Sequence, residues 1–275
     1  MTASFIAMGS HDTMSDPQPE GGRIKLGIPV YEGVNLLDVA GPYEMFKWVD
    51  KTKGLDAVIL STDGAPVTTM NGIRFDAHAS FADTPLLDVL WTPGGAPEAL
   101  ERLMADPNSP YLTYLRTVSV GARWVCSVCE GAMLLARAGL LDGHQATTHW
   151  AFIDCLRRFP AITVDETHAR FIVSGNRLTG GGISAGLDEA LKLISLLFND
   201  ATAGHAAVHD PLVTDVHPDR PDNGRRRLSP RRPCCGSRSE RCFDGSFDTK
   251  YLRPRVALNQ GFGFMNIWGT PARNR

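Results

Sequence analysis

Cys129 lies in Val125-Cys126-Ser127-Val128-Cys129-Glu130-Gly131-Ala132, where an apolar strand pattern ends and a small-residue helical pattern begins one residue later. That layout is a nucleophile elbow, a sharp strand-to-helix turn that lifts one side chain above a sheet. A cysteine there sits beside a helix N-terminus, whose partial positive charge favours thiolate over thiol. The chemistry this offers is covalent attack on an electrophilic carbon. The plainer alternative is a buried structural cysteine, a common core residue. Cys126 and Cys129 also spell CxxC. Cys126, however, falls inside the strand with its side chain directed into the core or a sheet face, which weighs against a redox dithiol. No further ligands at zinc spacing surround the pair, so no metal is expected.

A cysteine nucleophile needs partners. Pro93-Gly94-Gly95 ends the neighbouring strand pattern. Backbone amides of Gly94 and Gly95, with those of Glu130 and Gly131, are candidates for stabilising a developing negative charge. Asp38 opens the first helix at the carboxyl end of a strand, where a carboxyl can act as general acid or base. It can equally be a first-turn aspartate favoured by the helix dipole. Glu130 directly follows the cysteine, and a carboxylate so close opposes thiolate formation unless it points away. His149, in Ala146-Thr147-Thr148-His149-Trp150, is a candidate for the site or simply a helix cap. Gly180-Gly181-Gly182 matches neither GxxxxGK[ST] nor GxGxxG, so a nucleotide is not expected.

The elements that position these residues alternate. Strand patterns run over 24–31, 57–61, 89–92 and 123–128, with two shorter ones at 170–173 and 177–179. A hairpin is expected over 66–75 around Asn71-Gly72. Helical patterns cover 35–49, 97–104, 111–120, 130–138, 150–159 and 185–198. Pro42 should be tolerated only near the start of its helix. Ser184 is a candidate cap for the last helix, whose apolar face carries Leu187, Leu191 and Ile194. Buried strands alternating with helices predict an α/β fold, a mostly parallel sheet covered on both faces, with the site at the carboxyl ends of the strands.

The 275 residues carry a formal net charge of −2 and 43% hydrophobic residues, an ordinary globular composition that excludes collagen-like, disordered acidic and disulfide-dense classes. The charge is uneven: residues 1–200 balance to −8 and residues 201–275 to +6. The first 22 residues read as a leader without the apolar core of a secretory signal, and no run is long enough to span a membrane. The cytoplasm is therefore the expected compartment, with reduced thiols. Three parts are expected: a disordered leader over 1–22, an α/β domain over 23–200 and an irregular basic tail over 201–275. The tail reads as a disordered basic segment, as a nucleic-acid-binding arm, or as a frameshifted reading frame starting near residues 200–210, since its Arg, Pro, Cys and Ser are what GC-rich DNA yields out of frame.

Four segments together resemble the ThiJ/PfpI superfamily, with its class I glutamine amidotransferase-like fold, and within it the isonitrile hydratase-like branch. They are LLDVAGPYE at 36–44, WTPGG at 91–95, SVCEGAMLLARAGLLDG at 127–143 with ATTHW at 146–150, and TGGGISAGLDEAL at 179–191. The resemblance implies a flavodoxin-like sandwich, an elbow nucleophile at Cys129, a catalytic acid at Asp38, no cofactor and a homodimer. It implies an enzyme acting on a small molecule, adding water to an isonitrile to give an N-substituted formamide through a cysteine thioimidate. Glyoxalase- or deglycase-like chemistry on a reactive carbonyl, and a cysteine redox or ligand sensor, are the alternatives. Isonitrile hydratases carry Thr directly after the nucleophile, where this chain has Glu130. Related AraC-type regulators append a helix-turn-helix domain, and residues 201–275 show no pair of helical patterns for one, so no nucleic acid is expected as a partner.

Overall fold

The computed structural model describes residues 22–208. The leader and the basic tail beyond residue 208, with Cys234, Cys235 and Cys242, lie outside the described residues.

Eleven strands and seven α-helices are found among the described residues. In chain order they are β1 (Ile24–Pro29), α1 (Leu36–Lys53), β2 (Leu55–Ser61), β3 (Val67–Thr68), β4 (Arg74–Phe75), β5 (Ala79–Ser80), β6 (Val89–Thr92), α2 (Pro97–Ala105), α3 (Pro110–Ser119), β7 (Trp124–Val128), α4 (Gly131–Arg137), β8 (Gln145–Ala146), α5 (Ile153–Leu156), β9 (Thr163–Val164), β10 (Phe171–Ser174), β11 (Arg177–Gly180), α6 (Ala185–Leu197) and α7 (Asp200–Val208). Seven strands form one sheet in the order β10-β11-β7-β6-β1-β2-β5. All its pairings are parallel except β10 with β11. Helices α1, α6 and α7 pack on one another in one layer, and α2, α3 and α4 in another, giving the mostly parallel α/β sandwich expected. The apolar runs explain it: Val89, Leu90, Trp91, Val125, Cys126 and Val128 are all fully buried in the two central strands. The hairpin appears as β3 paired with β4.

The order β6-β1-β2 sets the site. The chain leaves β1 for β2 on one side and reaches β6 and β7 on the other, so a crevice opens beyond the carboxyl ends of β1 and β6. The segments following β1, β6 and β7 carry Asp38, Gly94 and Cys129 respectively.

Four local expectations are corrected. Pro42 lies inside α1 rather than at its start. An interior proline leaves the carbonyl four residues earlier without its helical donor. That carbonyl belongs to Asp38, and the indole Nε1 of buried Trp91 donates to it at 3.2 Å. The helix expected over 150–159 is a 3-10 turn, Trp150–Phe152, followed by the single turn of α5. Phe152 leaves helical geometry at φ −111°, and Pro160 bars any extension. Ser184 makes no side-chain cap, because it is itself helical. The first amides of α6 are served instead by the carbonyls of Gly182 and Ile183. Finally, regular structure continues past residue 200. In α7, Asn199 Oδ1 accepts from Thr202 N at 2.8 Å as an N-cap, and Ala206 is buried. Small Ala and Gly residues give this helix no apolar stripe to read in the sequence.

Glu189 on α6 is fully buried and neither carboxyl oxygen has a hydrogen-bond partner. Its Oε2 fills the space that a side chain at Gly180 would need, 1.9 Å from where a Cβ would stand. Burial, and then the Asp38 charge, push its carboxyl well above the usual range. The native state therefore keeps this proton while the unfolded chain loses it near pH 4.5. The stability it contributes is complete below that value and is lost as pH rises toward the native one, by about 1.4 kcal/mol per pH unit. Glu189→Met, close in volume and without the charge, should flatten the decline in Tm between about pH 5 and 8 and raise Tm by several degrees at the upper end. Thermal unfolding across that pH series measures both.

Candidate active site

Cys129 and Glu130 are the two residues between β7 and α4, and the φ of Cys129 is +58°. Such a value is uncommon outside glycine and costs about 1–3 kcal/mol. Two contacts hold it: its amide donates to Gly180 O at 3.0 Å, and Thr148 Oγ1 donates to its carbonyl at 2.8 Å. The parallel register of β7 with β11 sets Gly180 beside Val128, so the carbonyl lies where the elbow needs it. Gly182, at φ +86°, closes over the thiol; a Cβ there would lie 2.4 Å from Sγ.

Asp38 stands in the first turn of α1, wholly buried. Its Oδ2 accepts from Gly94 N at 3.1 Å, while Oδ1 has no hydrogen-bond partner of ordinary geometry. The Gly94 amide thus serves Asp38 rather than a developing oxyanion. Trp91, through the Asp38 carbonyl, and Tyr31, whose hydroxyl donates to Pro93 O at 3.1 Å, tie helix, strand end and Gly turn together. Gly95 is held by a bridge to Val34. Gly131 is buried as the first residue of α4, directly behind the elbow.

Glu130 does not point away. One oxygen each from Asp38 and Glu130 and the Cys129 sulfur all lie within 4.8 Å of one another. Glu130 Oε1 is 3.7 Å from His149 Nδ1. His149 caps the 3-10 turn, its Nδ1 accepting from Ala151 N at 3.4 Å. The structure therefore brings together Cys129, Asp38, Gly94, Glu130 and His149. Sequence reasoning missed Trp91, Tyr31, Thr148, Gly182 and Ile183. Only Gly182 had a visible signal, the Gly180-Gly181-Gly182 run.

The electrostatics of the group follow from burial. Desolvation, and then the Glu130 charge, push Asp38 up to about 7; the amides of Gly94 and Ile183 and the Cys129 thiol pull it back. Cys129 is pushed far above the ordinary thiol range by burial first, then by Asp38 and Glu130. The Glu130 amide, at the start of α4, favours the thiolate but is outweighed. Burial and the two neighbouring carboxyls thus favour the thiol over the thiolate, against the expectation from the helix terminus alone. Such a set can move a proton on and off a sulfur nucleophile and supply one to what it attacks.

Residues 25–196 match the DJ-1/PfpI family. An isonitrile hydratase from Pseudomonas putida is 38% identical over 180 residues, spanning 66% of this chain and 75% of that protein. The HTH-type transcriptional regulator GbdR from Pseudomonas aeruginosa is 27% identical, with 62% of this chain matching 45% of the regulator. Among solved structures, a ThiJ/PfpI family protein from Pseudomonas syringae superposes with a TM-score of 0.63 at 32% identity, covering 79% of this chain and 85% of that one.

Because Gly182 leaves no room above the sulfur and holds a left-handed backbone, Gly182→Ala should destabilise the fold by about 1–3 kcal/mol and slow thiol modification at Cys129. Urea unfolding and the rate of reaction with a chromogenic disulfide measure the two effects.

Proposed function

The chain belongs to the DJ-1/PfpI family, and from that footing we propose that it is a hydro-lyase adding water to an isonitrile. The product is an N-substituted formamide, formed through a thioimidate on Cys129. The observation that carries this reading is a buried carboxyl, Asp38, held by the Gly94 amide within reach of a thiol on an elbow. The 38% identity to an isonitrile hydratase supports the substrate class.

An isonitrile carbon accepts a soft nucleophile when a proton arrives at the same time. The Cys129 thiol gives its proton to a base of the site as its sulfur bonds to that carbon, and the Asp38 carboxyl delivers its proton to the carbon, leaving a thioimidate, a protonated base and an Asp38 carboxylate. Water then adds to the carbon, one of its protons returning to Asp38, while the nitrogen gains the proton that the thiol gave to the base. The tetrahedral adduct collapses: the C–S bond breaks, the hydroxyl proton passes to sulfur, and the formamide leaves. One water is consumed and no cofactor is required. We take the protein to work as a homodimer in the cytoplasm, as the family resemblance implies. Among the described residues no helix is long and apolar enough to cross a membrane.

Asp38 acts as an acid in the first step, so it must enter protonated. With its carboxyl at about 7, kcat/KM should hold below that pH and fall above it. Formation of a formamide from a simple alkyl isonitrile, followed by NMR, is the assay. Cys129→Ala and Asp38→Ala should each lower turnover by at least about 100-fold. Unaffected variants, or turnover of methylglyoxal in place of the isonitrile, would overturn the reading.

A further inference from the structure

When the Cys129 sulfur attacks, its own proton must go somewhere. An Asp38 that enters protonated cannot take a second proton, and in that step it gives one away. We propose that Glu130 is the base that takes the Cys129 proton, so that two carboxyls beside one thiol divide the acid and base work. This rests on the hydratase reading for the identity of the electrophile only.

The geometry separates the two carboxyls. Asp38 is wholly buried, one oxygen fixed by the Gly94 amide, with the Ile183 amide and the Cys129 thiol also close to its carboxyl. Glu130, by contrast, keeps slight solvent contact and has His149 Nδ1 at 3.7 Å. The Cys129 thiol lies within hydrogen-bonding reach of the Glu130 side chain, and the Glu130 amide supports the sulfur once the proton has gone. Glu130 Oε2 packs directly on Gly94, which fixes the carboxyl over the thiol side of the turn. The titratable groups facing it are Asp38 from α1, Cys129 itself, His149 and the Tyr31 hydroxyl. Two neighbouring carboxyls in unlike surroundings, one sealed and one in contact with solvent and a histidine, suit an acid and a base.

The steps balance. The thiol proton moves to the Glu130 carboxylate as the C–S bond forms, and the Asp38 proton moves to carbon. As water adds to the thioimidate, its proton restores Asp38 and the Glu130 proton goes to nitrogen. Collapse returns the thiol, and both carboxyls are as they began.

The test uses the full-length protein and iodoacetamide, with alkylation of the Cys129 peptide followed by mass spectrometry across pH. A proton shared between sulfur and a carboxylate leaves the thiolate fraction independent of pH, so the wild-type rate should be level from about pH 5 to 6.5, below the point where Asp38 ionises and its charge raises the thiol. Asp38→Asn should keep a level stretch. Glu130→Gln and Glu130→Thr, neither able to take the proton, should lose it and rise about tenfold per pH unit. Circular dichroism checks that each variant is folded, and either Glu130 variant suffices. A level rate that survives in both Glu130 variants, that disappears in Asp38→Asn, or that is missing from the wild type overturns the proposal. Failure to hydrate isonitriles with the Glu130-dependent level rate intact overturns the hydratase reading alone.

Discussion

The left-handed backbone at Cys129 is the constraint on which the rest of the site depends. A cysteine with φ +58° is costly, and the surroundings over-determine it: the Gly180 carbonyl takes its amide and the Thr148 hydroxyl takes its carbonyl. Each of these groups has its own support. Gly180 is placed by the β7–β11 register and backed by the Glu189 carboxyl, and Thr148 by a loop whose preceding residue, Thr147, donates its amide to Thr179 Oγ1 at 2.9 Å. The sharp turn aims the sulfur out of the sheet, and Gly182 gives it a bed no other residue could provide. The strain is local and the support is spread over two strands, one helix and two loops.

The second constraint is dryness. A helix N-terminus lowers a thiol pKa when little opposes it. Here burial and two carboxyls oppose it, and they win, because charges taken from water interact far more strongly than on the surface. The same burial lifts Asp38 to about 7, so the group holds protons where exposed carboxyls would not. A thiol in that state is quiet until a step removes its proton. That favours chemistry in which attack and proton transfer are coupled over chemistry by a standing thiolate.

Much of the fold was legible because buried parallel strands write themselves as apolar runs, and 89–92 and 123–128 could hardly be anything else. The elbow was legible for the same reason: a strand that stops one residue before small residues leaves few alternatives. The assembly was not. Asp38, Gly94 and Cys129 follow three different strands, and only the order β7-β6-β1 brings them together. Trp91 reads as one more core residue, and Pro42 as a defect. Their partnership through the Asp38 carbonyl exists only in three dimensions. Glu189 has a polar identity on an apolar face, and periodicity could not show that it is wholly enclosed. The helix α7 was missed because alanines carry too little hydrophobicity to draw a stripe.

Glu130 also limits what can enter. In the isonitrile hydratase-like branch that the sequence resembles, a threonine hydroxyl stands at this position, neutral and able both to give and to accept a hydrogen bond. A carboxylate is larger and charged, and it sits beside a second carboxyl within 4.8 Å. An anionic substrate would add a further negative charge to a poorly solvated group that already resists holding its own, and such repulsion selects strongly against a ligand. A narrow neutral electrophile adds no charge. In the proposed chemistry it also needs a proton at carbon while another leaves sulfur, and two carboxyls stand beside that thiol. On that proposal, a carboxylate in place of the hydroxyl shifts the site from assisting by hydrogen bond toward working by proton transfer, at the same elbow and with the same acid.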